Sequence, residues 1–373
     1  NLSRFTNYFK KFSQYTQFRT MASINYADNF LNNSSCIVSA VEFDKNDDFF
    51  ASAGVLKKIR IYDFNNVIFN YRELYHNEGK NEIDNYITRY PIQEMTCNSK
   101  ISCLSYSYDK QRNLLSSDYE GIITLWDAET GTAVSNFNEH EKRAWCVDYN
   151  VRNPTQFASG SDDSTVKIWD ENVPYSTLTI DSRANICSVA FNPYNEYEIA
   201  FGSADHNIYY YDIRNAKKAW ECIRGHKKAI SYVKFRNRYE FVSASTDNTL
   251  KLWSINPYIL DMNNNENLNY KVQLIRTYSG HVNERNFAGL SINKEGDFIL
   301  CGSETNEIYI YYSEFERPII VQNFGNIEDN VTGSERDYFD TNQFISSLSW
   351  KKTSENILIA ANSEGRVKVY ELV

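Results

Sequence analysis

A chain of 373 residues with 42% hydrophobic and 15% aromatic content could hold two or three average domains, and its 28 tyrosines and 22 phenylalanines favour β structure. A net charge of −9 and a pI near 5.3 argue against a primary nucleic-acid binder, which carries a basic balance or face. No run of about 18 apolar residues is present to span a membrane.

Residues 1–14 read as a helical or loose N-terminal extension without the apolar stretch of a secretory signal. A start at Asn1 rather than Met points to a piece of a longer protein. Residues 15–24 read as a strand. Seven half-buried alternating segments follow: Val38 to Phe43, Ile101 to Tyr106, Trp145 to Tyr149, Ile186 to Phe191, Ile230 to Phe235, Ala288 to Ile292 and Ile345 to Trp350. Each is followed by a small-residue strand such as Ala51 to Gly54 or Ser243 to Ser245, and then by a third strand closing on an aromatic. Those aromatics are Tyr62, Trp126, Trp169, Tyr211, Trp253, Tyr311 and Tyr370. Trp169, Tyr211 and Trp253 recur every 42 residues, and the longer gaps place insertions at 65–98, 255–276 and 324–343. These insertions read as solvated loops, the second tipped by Asn263 to Asn267 and the third acidic at Glu328, Asp329, Glu335, Asp337 and Asp340.

The clearest unit is 140–170. His140 precedes its first strand, Ser159 lies on the second, Asp163 in the turn and Trp169 on the third. His226, Ser243, Asp247 and Trp253 repeat the set in order. Four polar roles in fixed sequence can tie one small sheet together if every member is satisfied. With a period of roughly 40–45 residues, this predicts an all-β, seven-bladed WD-repeat β-propeller over 15–373. The last unit ends three residues before the C-terminus, so the 15–24 strand is expected to supply its fourth strand and close the ring.

No nucleotide-binding, hydrolase or zinc-helix motif occurs, so neither a catalytic site nor a cofactor is expected. Of the five histidines, His140, His206, His226 and His281 are read as occupants of matching loop positions, and no metal site is expected. The seven cysteines are scattered without a C-x-x-C pair and read as small core residues of a reducing compartment. What remains is a binding surface. Loops entering strands carry Lys100, Arg143, Trp145, Lys227, Lys228, Arg285 and Phe287, basic groups around aromatics that suit an acidic peptide with an apolar anchor. The plainer alternative, solvated lysines and core aromatics, stays open on spacing alone.

Several segments carry a closer likeness: Ser117 to Gly121, His140 to Trp145, Gly202 to His206, His226 to Ala229, Ser231 to Phe235, Gly302 to Glu307 and Ala361 to Ser363. Together they resemble the WD-repeat domain of the constitutive photomorphogenesis 1 family, RING-type ubiquitin ligases, over about residues 4–372. The related suppressor-of-phytochrome-A family carries a similar propeller, and the spellings at Asp118 to Glu120 and Glu141 to Trp145 look nearer to the ligase. The resemblance implies a substrate receptor for extended motifs in which Val-Pro is flanked by acidic residues. It places Lys100 and Arg143 on the peptide's acids, Tyr119, Trp145 and Phe287 around Val-Pro, and His206 and Lys228 at the rest of the groove. Tyr211-Asp212-Ile213-Arg214 resembles the W-D-x-R box that docks a cullin-ligase adaptor, so Asp212 and Arg214 are the adaptor candidates. No membrane or direct nucleic-acid partner is implied, and the compartments implied are nucleus and cytoplasm. RING and coiled-coil segments are absent from this sequence, so any ligase activity would lie upstream. The 255–276 insertion is expected to crowd Phe287, and 65–98 to shift Lys100. A generic scaffold working through its rim, or a suppressor-type partner subunit, is the alternative.

Overall fold

In the computed structural model the described residues are 6, 9–26, 36–69, 90–110, 112–259, 268–325 and 343–373. They form seven four-stranded antiparallel sheets. Each sheet's first strand packs beside the first strands of its two neighbours, and the contacts run from blade to blade around the circle until the seventh returns to the first. This is a closed seven-bladed propeller. Blade 3 shows the pattern: Ala144–Tyr149, Gln156–Ser161, Thr165–Asp170 and Leu178–Asp181 from axis to rim. Seven apolar clusters hold the ring, one at each seam between blades. The seam between blades 2 and 3, for example, packs Leu115, Ile123 and Phe137 against Val147, Phe157 and Trp169.

Polar belts reinforce these seams near the axis. Ser39 donates to the Ile101 carbonyl, Ser102 to the Ala144 carbonyl and Ser346 to the Val38 carbonyl, each from one blade to the next. Lower down, the amides of Tyr149, Phe191 and Trp350 donate to Ser105 Oγ (3.2 Å), Asp148 Oδ2 (2.8 Å) and Ser291 Oγ (3.0 Å) of the preceding blade. Short polar side chains on inner strands thus satisfy amides that the twist of the ring would leave unpaired.

The two expected tetrads form. His140 Nδ1 meets Asp163 Oδ2 at 2.7 Å, His140 Nε2 meets Ser159 Oγ at 2.7 Å, and Trp169 Nε1 donates to Ser159 Oγ at 2.8 Å. Blade 5 repeats this at 3.0, 2.7 and 2.8 Å through His226, Asp247, Ser243 and Trp253. Burial opposes charge on Asp163 and Asp247, yet the hydrogen bonds from His140 and His226 outweigh it and hold both carboxyls well below the usual range. In blade 6 Tyr311 replaces tryptophan and Cys301 replaces serine. There His281 Nδ1 meets Tyr311 Oη at 2.9 Å and its Nε2 finds no partner.

That difference predicts a pH effect. Burial lowers His281 to about 4. The folded chain therefore holds fewer protons than the unfolded chain between pH ~6.5 and ~4, so this contribution is complete above ~6.5 and is lost as pH falls towards 4. Its full size is roughly 3 kcal/mol. Melting from pH 7.5 to 5 should show wild type falling more steeply than His281→Gln. Asp148, raised by burial to about 6 against the pull of Lys234, acts oppositely in both proteins and cancels.

The N-terminal strand runs Phe18–Asn25 and pairs antiparallel with Arg366–Leu372, completing blade 7. Residues 9–12 of the extension are helical; Phe12 lies edge-on to Phe315 at 5.3 Å and Lys11 pairs with Asp297. The insertions differ from the expectation. At the start of 65–98, residues 65–69 belong to a helix that begins at residue 64, and Gln93–Thr96 is blade 1's fourth strand. Most of 255–276 extends a hairpin, Thr249–Ile259 with Leu268–Ser279, rather than forming a loop. Its tip, with Asn263 to Asn267, lies outside the described residues, as do 70–89 and the acidic residues of 324–343. Among the described residues no helix is long and apolar enough to cross a membrane.

Candidate peptide-binding site

One backbone hydrogen bond recurs in all seven blades and builds the mouth of the central channel. The second residue of each turn between strands two and three donates its amide to the loop leading into strand one. The donors are Val55, Tyr119, Asp162, Ala204, Thr246, Glu304 and Ser363; the acceptors are Ile37, Lys100, Arg143, Asn185, Ala229, Val282 and Phe344. Lys100 and Arg143 are thus equivalent positions of successive blades, and so are Tyr119 and Asp162. Of these two rings, Ile37, Tyr119 and Phe344 line the channel.

Trp145 arrives there by a different device. The first strands of blades 1, 2, 3, 4, 5 and 7 each skip one residue in their pairing with strand two, a β-bulge at the second position. A bulged side chain is re-aimed out of the ladder. In the other five bulged blades that residue is Ser39, Ser102, Cys187, Ser231 or Ser346; in blade 3 it is Trp145. Its half-buried indole meets Tyr119 of blade 2 at 6.1 Å and Phe287 of blade 6 at 4.9 Å, so the cluster spans the axis. Phe287 also meets Tyr232 of blade 5 at 6.5 Å. Behind Phe287, Gly289 allows close approach to blade 7: a Cβ there would lie 2.7 Å from the Leu348 amide nitrogen. Below the cluster runs a channel of about 420 Å³ whose lining includes Tyr232, Arg285 and Phe344.

The Arg143 guanidinium lies 4.0 Å from the Tyr119 ring centroid and 4.7 Å from that of Trp145, and Lys100 Nζ lies 5.9 Å above Tyr119. Arg143 Nε is buried without a hydrogen-bond partner. Stacking fixes the planar cation and leaves donors for an acceptor from outside. Lys100, Tyr119, Arg143, Trp145 and Phe287 therefore assemble into one site.

His206 and Lys228 stand apart from it. Both are exposed at the same end of the molecule, and no ring contact or side-chain hydrogen bond joins either to the aromatic cluster among the described residues. The matching loop positions expected of four histidines hold for His140, His226 and His281. His206 instead takes the left-handed place of a strand-two to strand-three turn, φ +73°, shared with Lys57, Gly121, Ser164, Asn248, Asn306 and Gly365. Asp212 and Arg214 lie on the opposite face. Asp212 accepts from the Arg214 amide at 2.8 Å, pairs with its guanidinium at 2.6 Å, and the same guanidinium stacks 4.4 Å over Tyr197. The described strands of the extended blade 5 hairpin, Thr249–Ile259 and Leu268–Ser279, run from the turn side towards that face too. Lys100 keeps the carbonyl hydrogen bond of its ring, so the 65–98 segment does not displace it.

Sequence reasoning missed Asp162, which accepts from Trp145 Nε1 at 2.6 Å, and Tyr232. Aligning the seven turns would have put Asp162 in the column of Tyr119. Among the described residues no group of three metal-ligating side chains occurs.

Comparison with known proteins agrees with this architecture. The WD domain, G-beta repeat family matches residues 28–63, 89–127, 131–170, 173–212 and 218–254. Protein SUPPRESSOR OF PHYA-105 1 of Arabidopsis thaliana is 43% identical over 97% of this chain and 33% of its own length. E3 ubiquitin-protein ligase COP1 of the same plant is 41% identical over 100% of this chain and 50% of its own. WD repeat-containing protein RUP1 of Arabidopsis thaliana is 33% identical over 89% of this chain and 80% of its own. The chain spans a third to a half of the first two relatives. With five matched repeats and seven closed blades, the chain belongs to the WD-repeat family and is homologous to the WD domains of COP1 and SUPPRESSOR OF PHYA-105 1.

Proposed function

We propose that this propeller is the substrate receptor of a ubiquitin ligase, binding short acidic Val-Pro motifs of partner proteins at the channel mouth. The observation that carries the reading is Arg143, stacked on Tyr119 and Trp145 with a buried Nε lacking a partner, beside an aromatic pocket that reaches Phe287. A rigid Val-Pro pair loses little entropy on docking, and three aromatic walls supply contact area. The peptide's carboxylates pair with Arg143, which can hold one bidentately, and with Lys100, which cannot. Homology to the E3 ubiquitin-protein ligase COP1 across the whole chain supports the ligase setting. In that setting Asp212 and Arg214, on the far face, take the adaptor, and the receptor works in nucleus and cytoplasm. The 43% identity to SUPPRESSOR OF PHYA-105 1 favours a second setting, a partner subunit with the same mouth.

Fluorescence anisotropy with a labelled acidic Val-Pro peptide tests the reading. Binding at roughly micromolar Kd, about −8 kcal/mol, is expected, with loss when Val-Pro becomes Ala-Ala. Equal binding of both peptides would sink it.

A further inference from the structure

We infer that Asp162 is the positioning residue of the mouth, fixing the Trp145 indole in the orientation that meets a ligand. This deepens the peptide-binding reading and rests on it for the affinity arm of the test below. The turn column that contains Asp162 holds two carboxylates, Asp162 and Glu304. Glu304 folds back on its own blade, accepting from the amides of Arg285 at 2.7 Å and Asn286 at 2.6 Å. Asp162 accepts from side chains instead, one on its own blade and one from the loop entering blade 4. Its Oδ1 accepts from Trp145 Nε1 at 2.6 Å and from Asn185 Nδ2 at 2.9 Å, while its amide is anchored to the Arg143 carbonyl at 2.9 Å.

The half-buried Trp145 donates its N–H to Asp162. What the bond supplies is orientation. A bulged residue is outside the ladder, and a tryptophan there has two free side-chain torsions over an open channel. A charge-assisted bond at the indole edge removes that freedom before any ligand arrives. It also occupies the indole's sole donor, so the ring offers carbon surface alone. Asn185, from the loop entering blade 4, holds the carboxylate in turn. Recognition at Trp145 therefore reads shape, and the polar reading falls to Arg143 and Lys100.

The test uses 5-fluorotryptophan protein, with Trp145 assigned by Trp145→Phe among the six tryptophans. In ligand-free Asp162→Ala the Trp145 fluorine resonance should shift or broaden while the other five stay put. Affinity for the acidic Val-Pro peptide should fall about tenfold, the size of one charge-assisted bond. Asp162→Asn, which keeps an acceptor, should retain both the resonance and an affinity within about threefold. Asn185→Ala should move both readouts in the same direction by less, and serves in place of Asp162→Ala if that variant does not fold. An unmoved Trp145 resonance overturns the inference, as does a moved resonance with intact affinity, or Asp162→Asn behaving like Asp162→Ala. If wild type fails to bind the peptide, the functional reading falls, and the resonance arm still decides whether Asp162 holds the indole.

Discussion

Replacing Trp145 with alanine should weaken binding of the acidic Val-Pro peptide by about thirtyfold or more, the ~2 kcal/mol typical of a central aromatic anchor, and leave the melting temperature nearly unchanged. The size of the first effect follows from the contacts. Trp145 touches Tyr119, Arg143 and Phe287, so it joins walls that come from blades 2, 3 and 6. Without it Arg143 loses one of its two stacking partners and the pocket opens into the channel. The absence of the second effect follows from the bulge. The ladder of blade 3 passes from Ala144 to Cys146, both buried, without using Trp145. Trp169, in the same blade, is its opposite: fully buried, hydrogen-bonded to Ser159, and stacked on Phe157. Anisotropy and thermal melts on one preparation check both halves. Unchanged affinity would place the ligand elsewhere, and a large drop in melting temperature would make Trp145 a core residue.

The contrast between these two tryptophans also explains how far the sequence could be read. Trp169 is legible because its partners His140, Ser159 and Asp163 recur in blade 5 with the same order and spacing. A hydrogen-bonded tetrad constrains residue identity, and identity is what a sequence displays. Trp145 differs from the four serines and the cysteine at its position in the other bulged blades, so spacing shows that it is unusual without saying where it points. The family likeness supplied that, and geometry supplied the bulge. Blade 1's fourth strand escaped notice because Gln93–Thr96 is four residues long with Met95 alone buried, too short for a periodic signal. The extended blade 5 hairpin escaped because Leu274 and Ile275, adjacent and both exposed, break the alternation that would mark its second strand. His206 was misplaced because its residue type matched the tetrad histidines. Its column, which reads Lys57, Gly121, Ser164, His206, Asn248, Asn306 and Gly365, is rich in the residues that tolerate positive φ and identifies the turn.

Removing residues 1–26 should cost the chain its cooperative fold, a larger effect on stability than any mouth substitution. The strand Phe18–Asn25 is paired along its length with Arg366–Leu372, from Phe18 opposite Leu372 to Asn25 opposite Arg366. It buries Met21, Ala22 and Ile24, and leads into fully buried Tyr26, whose hydroxyl donates to the Lys58 carbonyl of blade 1 at 2.6 Å and whose carbonyl accepts from Arg60. Blade 7 and blade 1 are thus fastened to the same segment, which is where the ring closes. Burying Met21, Ile24 and the Tyr26 ring contributes about 1.5–3 kcal/mol each. Their sum approaches the 5–15 kcal/mol by which a native protein is usually stable. The loss would also bare the edge of Arg366–Leu372 beside the buried Val367, Val369 and Tyr370, an open template for pairing between chains. Size-exclusion chromatography should show the truncated chain as aggregate. A synthetic peptide of residues 15–26 added during refolding should restore monomer, because the missing strand need not be covalently attached to pair. A truncated chain that stays monomeric and melts within a few degrees of the full one would mean that the ring holds without its clasp, and that the inter-blade serine belts and apolar seams carry closure by themselves.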